Sequence, residues 1–233
     1  MTPHVQDHEH ARLIGRRAVA RGAAWSVPVV ALAVAAPASA STSGGCLTGK
    51  LDWDGLKNEE QTGKVLVPTG STGVTVTVTT TGDDTADGNG VVTATTTGGL
   101  SKVMRFTSRN NKNNTVQQVT VTFSKPVRNV SFSLLDVDSQ KNQGATAYED
   151  LVTILTAGWT GSKHSNVIGD GTPAHPYRAK NTDSPVLGTS DASNVDLSFA
   201  GPLTSISFAY AQDGKVTGDP FIGISDIVFQ SCT

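Results

Sequence analysis

Val119-Thr-Val-Thr-Phe-Ser-Lys-Pro-Val-Arg-Asn-Val-Ser-Phe-Ser-Leu134 is matched, 76 residues later and without a gap, by Val195-Asp-Leu-Ser-Phe-Ala-Gly-Pro-Leu-Thr-Ser-Ile-Ser-Phe-Ala-Tyr210. In both copies apolar residues alternate with small or polar ones up to a Phe. A Pro follows three residues later, and a second alternating run begins. A period of two is the mark of a strand, because successive side chains point to opposite faces of a sheet. The pattern puts Val119, Val121 and Phe123 on one face, and Val130, Phe132 and Leu134 on the matching face of a return strand. Pro126 and Pro202 read as turn centres, where no ladder donor is needed. The expectation is two core hairpins of similar shape. A pseudo-symmetric ligand site between them is the sharper form of the same idea.

The rest of the chain carries the same signature. Thr, Ser, Val and Gly dominate, and β-branched residues suit a pleated, half-buried surface. No stretch sustains an apolar period of 3.6 residues, so helices are not expected. Strands are expected over residues 47–53, 63–67, 73–80, 91–97, 100–107, 116–124, 127–137, 150–156, 195–200, 203–211 and 221–231. Gly98-Gly99 between two of them reads as a tight hairpin turn. Residues 157–188 read as long and irregular, with two short strands. Many short strands at this spacing predict an all-β fold, a two-sheet antiparallel jelly-roll sandwich.

Residues 1–40 read as a cleaved signal peptide and 41–233 as a single domain. A basic segment with Arg16-Arg17 precedes a short apolar run over 23–36, and Pro37-Ala-Ser-Ala40 offers the small residues of a cleavage site. The run is too short to span a bilayer. Signal peptidase and an export machinery are therefore expected partners of the leader, and the mature form is expected to be secreted or extracellular without a membrane span. The leader takes four Arg and two acids, leaving 14 Lys+Arg against 18 Asp+Glu. With no basic cluster left, nucleic acid is not an expected partner. Cys46 and Cys232 are the only cysteines and stand at the two ends of the mature region. In an oxidising compartment they are expected to form one disulfide, which makes the first and last strands neighbours.

The Arg16-Arg17 leader, the run from Leu51-Asp52-Trp53 through the two Phe-x-x-Pro segments, Asp136-Val-Asp138, and the closing Ile222-Gly-Ile-Ser-Asp-Ile227 together resemble secreted β-sandwich domains of actinobacteria, uncharacterised as to activity. The leader resembles a twin-arginine signal, although Gly15 and Val19 depart from the usual pattern. More loosely, the chain is similar to jelly-roll domains of bacterial surface and adhesin-like proteins. The resemblance covers nearly all of the mature chain. It implies fold and export and brings no activity with it; association of the secreted form with the cell wall is a separate expectation.

Candidate chemistry rests on few residues. Asp136 and Asp138 lie two apart at a strand end, and Glu149 and Asp150 begin the next strand. If those strands pair, the four acids meet at one loop mouth. Close carboxylates repel unless donors or a cation compensate. They either cap loop N–H groups and face water, or hold Ca²⁺, the one candidate cofactor. Trp159, Tyr148 and Tyr177 lie in polar loops, where exposed rings would stack on a sugar. Packing under the long loop is the alternative. His164 and His175 stand in the same irregular stretch, without a Gly-x-Ser-x-Gly or a His-Glu-x-x-His motif to recruit them. No catalytic residue is assigned. The expected function is non-catalytic, either structural or binding a cell-surface glycan or protein. The alternative is a secreted hydrolase acting on extracellular polysaccharide through a carboxylate pair.

Overall fold

The computed structural model describes residues 45–56, 65–66, 73–82, 89–108, 116–141, 147–213, 217 and 220–232. The leader with Arg16-Arg17 and the cleavage site, and residues 83–88 and 109–115, lie outside the described residues.

The described chain is all-β and antiparallel, and its spine is one 20-residue strand, β6 (Val116–Leu135). Six strands precede or follow it as direct partners or their neighbours at the N-terminal side of the chain and its end: β1 (Cys46–Leu51), β2 (Val65–Leu66), β3 (Val76–Gly82), β4 (Val91–Thr93), β5 (Val103–Thr107) and β16 (Ile227–Cys232). The others are β7 (Ser139–Gln140), β8 (Asp150–Ile154), β9 (Trp159–Lys163), β10 (Val167–Ile168), β11 (Arg178–Ala179), β12 (Asp183–Ser184), β13 (Val195–Phe199), β14 (Leu203–Gln212) and β15 (Phe221–Ile224). The first half of β6 pairs with β3 and β14, and the second half with β13, β15 and β16. Outside these lie β2 on β3, β8 on β14, β9 on β13, β5 and then β4 on β15, and β1 on β16. The result is a 12-stranded sheet curled about β6, with small β10–β11 and β12–β7 sheets beside it.

Curling lets the inward rows of both halves share one core. Phe106 of β5 meets Phe208 of β14 edge to face at 6.0 Å, and Phe123 of β6 meets Phe229 of β16 at 5.3 Å. Phe106, Phe208 and Phe229 are each 0% exposed. Burying such a side chain contributes about 1.5–3 kcal/mol relative to leaving it in water. The alternating face read from the sequence is the buried one: Val119, Val121, Phe123, Val130, Phe132 and Leu134 are all enclosed.

The repeat does not form two hairpins. The first copy is a single strand that passes through Pro126 without turning. The second copy does turn, at Gly201-Pro202, but β13 and β14 do not pair with each other. Instead β13 lies on the second half of β6, with Leu197 opposite Phe132. β14 lies on the first half, with Ile206 opposite Val121. The two copies are thus antiparallel partners along their length, related by an approximate two-fold near Pro126 and Pro202. On the inward side the space between them is filled by backbone ladders and by the stacked Phe132 and Phe199 rings, 6.1 Å apart. Ser124, Lys125 and Pro126 are successively exposed at the seam where β6 changes partners, so the missing Pro N–H breaks no ladder.

Two further expectations change. Residues 157–188 hold four short strands, β9 to β12, rather than two. The closing run is two strands, β15 and β16, because side chains take over the ladder between them. The Ser133 N–H donates to Ser225 Oγ, and Asp226 Oδ1 accepts from the Trp53 N–H at 2.9 Å. Gly98 and Gly99, at φ 57° and 84°, make the expected two-residue hairpin turn between Thr97 and Leu100. β1 and β16 pair with Cys46 opposite Cys232, and the disulfide joins them across a separation of 186 residues.

Candidate functional site

The four acids named from sequence are brought to one end of the sheet by a short hairpin. β6 ends at Leu135, and Asp136 turns the chain in the left-handed region at φ 65°. Its N–H donates to Asn194 Oδ1 at 3.3 Å. The returning backbone is then laddered: Gln140 N–H to Tyr148 O at 2.9 Å, and Asp150 N–H to Asp138 O at 3.0 Å. The acids do not face water. Asp136, Asp138, Glu149 and Asp150 are 7%, 4%, 1% and 0% exposed.

Asp150 is the hub. Its Oδ1 accepts from the Tyr210 hydroxyl at 2.7 Å and from Gln212 Nε2 at 2.6 Å. Its Oδ2 accepts from the Asp138 N–H at 3.2 Å. Asp138 in turn accepts from the Val186 N–H at 2.7 Å through Oδ2. Gln212 Oε1 accepts from the Glu149 N–H at 3.1 Å. Three chain segments, around residues 136–138, 148–150 and 186, are therefore tied to β14. Tyr210 and Gln212 were missed in the sequence. The signal was present, since Phe208, Tyr210 and Gln212 share the inward face of one alternating strand.

Glu149 does not join this trio. Neighbouring residues of a strand project to opposite sides. Glu149 accordingly meets Lys141, with Arg178 Nη1 at 3.8 Å, while Lys141 also pairs with Asp213 at 2.7 Å. Among the described residues no group of three or more His, Cys, Asp or Glu is disposed to hold a metal ion. Ca²⁺ takes six to eight oxygens. Here Oδ1 and Oδ2 of Asp150 and Oδ2 of Asp138 already accept from fixed protein donors, which an ion bound at the trio would have to share or displace.

Crowding and enclosure raise the proton affinity of these carboxyls. Burial, followed by the charge of Asp138, pushes Asp136 up to about 7, with Arg105 opposing. Asp136 Oδ1 is buried without a hydrogen-bond partner. Burial pushes Asp138 up to about 6, held back by the Val186 N–H and the Tyr148 hydroxyl. Burial and the Asp138 charge raise Asp150, against the stabilising donors Gln212 and Tyr210. Burial and the Asp138 and Asp150 charges raise Tyr148.

The aromatic candidates separate. Tyr148 is half-buried and belongs to the acids. Tyr177 is 2% exposed, and half-buried Trp159 meets it edge-on, with centroids 5.8 Å apart. Gly171, at φ 76°, lets the two rings close down. A Cβ there would stand 2.5 Å from the Tyr177 ring and 2.8 Å from the Trp159 ring. This pair packs under the long loop. His175 lies in a turn, its N–H donating to Thr172 O at 3.1 Å. His164 stands between Asp196, 3.2 Å from its Nε2, and Asp191, 3.6 Å from its Nδ1.

Among the described residues no helix is long and apolar enough to cross a membrane. No family model, no curated protein and no solved structure matches the chain.

Proposed function

We propose that the mature chain works outside the cell, secreted or wall-associated, as a non-catalytic jelly-roll sandwich that binds a glycan or protein. The observation that carries this reading is the complete enclosure of Asp150 and its three donors. A glycosidase pair must face a bound sugar and a water. The carboxyls of Asp150 and Asp138 instead face protein donors, so this buried acid cluster serves as a clasp for loops. A clasped loop end suits binding, because a surface already held in shape loses less entropy when it engages a partner. The leader and the terminal disulfide support the extracellular setting.

The test uses residues 41–233, purified and oxidised, mixed with insoluble bacterial cell walls and with plant and fungal polysaccharides. Co-sedimentation without release of reducing ends is expected. Reducing ends released by the wild type, and abolished in Asp136→Asn or Asp138→Asn, would replace this reading with the hydrolase.

A further inference from the structure

The outward faces of β9, β13 and the second half of β6 carry two rows of short polar side chains. Thr160, Ser198 and Ser131 stand opposite one another in one row, and Ser162, Asp196 and Ser133 in the next. All but half-buried Ser133 are exposed. Within the rows Thr160 Oγ1 lies 2.7 Å from Ser198 Oγ, and Ser133 Oγ donates to Asp196 Oδ1 at 2.6 Å. His164 Nε2 then meets Asp196 Oδ2 at 3.2 Å. Two depressions of about 420 Å³ each lie here. One is lined by Ser131, Thr160, Ser162, Asp196 and Ser198, and the other by Ser133, His164, Asp191 and Asn194. They adjoin at the Ser133–Asp196–His164 chain. Among the described residues β9 pairs only with β13, so this strip runs to the margin of the sheet.

We infer that this strip is a binding site for a neutral oligosaccharide, an inference that rests on the binding-domain reading above. Each hydroxyl both donates and accepts, as sugar hydroxyls do, so one ladder of bonds serves either polarity. A carboxylate has about four acceptor sites. Those of Asp196 left over by Ser133 and His164 accept from sugar hydroxyls, and the two neighbours hold the group in place. Short side chains have little rotamer freedom to lose on binding. None of the six positions carries Lys or Arg, so the strip offers no counter-charge to a sulfated, phosphorylated or uronic ligand. Two rows across three strands, about 10 Å wide, suit an extended chain lying over the sheet.

The experiment is a calorimetric titration of residues 41–233 with cellohexaose, xylohexaose and chitohexaose, with an oligogalacturonate as acidic control. The site predicts saturable binding of at least one neutral hexaose and none of the oligogalacturonate. Asp196→Ala should weaken that binding about tenfold or more, as expected for a lost bond to a charged group. The Thr160→Val, Ser198→Val double variant should abolish it, and Thr81→Val on a different strand should leave it unchanged. No heat with any neutral hexaose, equal binding by both strip variants, or preference for the acidic sugar would each overturn the inference. Cell-wall co-sedimentation that survives both strip variants would remove this face while leaving the binding-domain reading in place.

Discussion

Replacing Asp136 by Asn should stabilise the domain at neutral pH, and the gain should vanish in acid. Asp136 is 7% exposed, and its carboxyl is raised from 3.8 to about 7. A raised acid binds its proton more tightly in the fold than in the unfolded chain. Its contribution to stability is therefore fully present below 3.8, declines as pH rises, and is lost above 7. At about 1.36 kcal/mol per pH unit, the shift of roughly three units corresponds to about 4 kcal/mol at pH 8 and about 1 kcal/mol at pH 4.5. Asn keeps the shape, tolerates the left-handed backbone at φ 65°, and has no charge to desolvate. The variant should therefore gain on the wild type by up to about 4 kcal/mol at pH 8, less the attraction to Arg105 that it forfeits. For a domain of this size that is a melting-temperature gain of up to about 8–16 °C. Thermal and urea unfolding of both proteins from pH 4.5 to 8.5 measures the difference. Parallel profiles, or a variant less stable than wild type at pH 8, would refute the account of a proton-held clasp.

Reducing the Cys46–Cys232 bond frees a loop of 186 residues, and chain entropy sets the loss at up to about 5 kcal/mol. Urea midpoints with and without reductant read it directly, and an unchanged midpoint would count against the terminal lock. Millimolar Ca²⁺ at pH 7.5 should produce neither titration heat nor a melting shift, since fixed donors already occupy Asp150 and Asp138. A rise of several degrees would show that the clasp reorganises around the ion. Gly171→Ala should cost about 1–3 kcal/mol, because a side chain there is strained at φ 76° and collides with two rings. It should also shift Trp159 fluorescence to the red as the ring loosens from Tyr177, and unchanged emission and stability would contradict the packing described.

Residue order alone determined the strand character of the chain, which face of each long strand is buried, and the adjacency of its ends. Each depends on local periodicity or on a pair of residues with no other partner. Val119 to Leu134 announces its inward row through alternation, and Cys46 has only Cys232 to meet. The gathering of Asp136, Asp138 and Asp150 was also legible, because a short hairpin closes it. Tertiary structure decided the rest. A Pro between two alternating runs reads the same in a hairpin as in a strand that changes partners, and only the positions of β3, β13, β14 and β16 choose between them at Pro126. Glu149 and Asp150 are neighbours in sequence yet face opposite sides, so one pairs with Lys141 and the other is enclosed by Tyr210 and Gln212 of a strand some 60 residues away. Burial, which raises the proton affinity of the trio and turns a candidate metal mouth into a clasp, is a property of everything packed around a residue and is written in no short stretch of the chain.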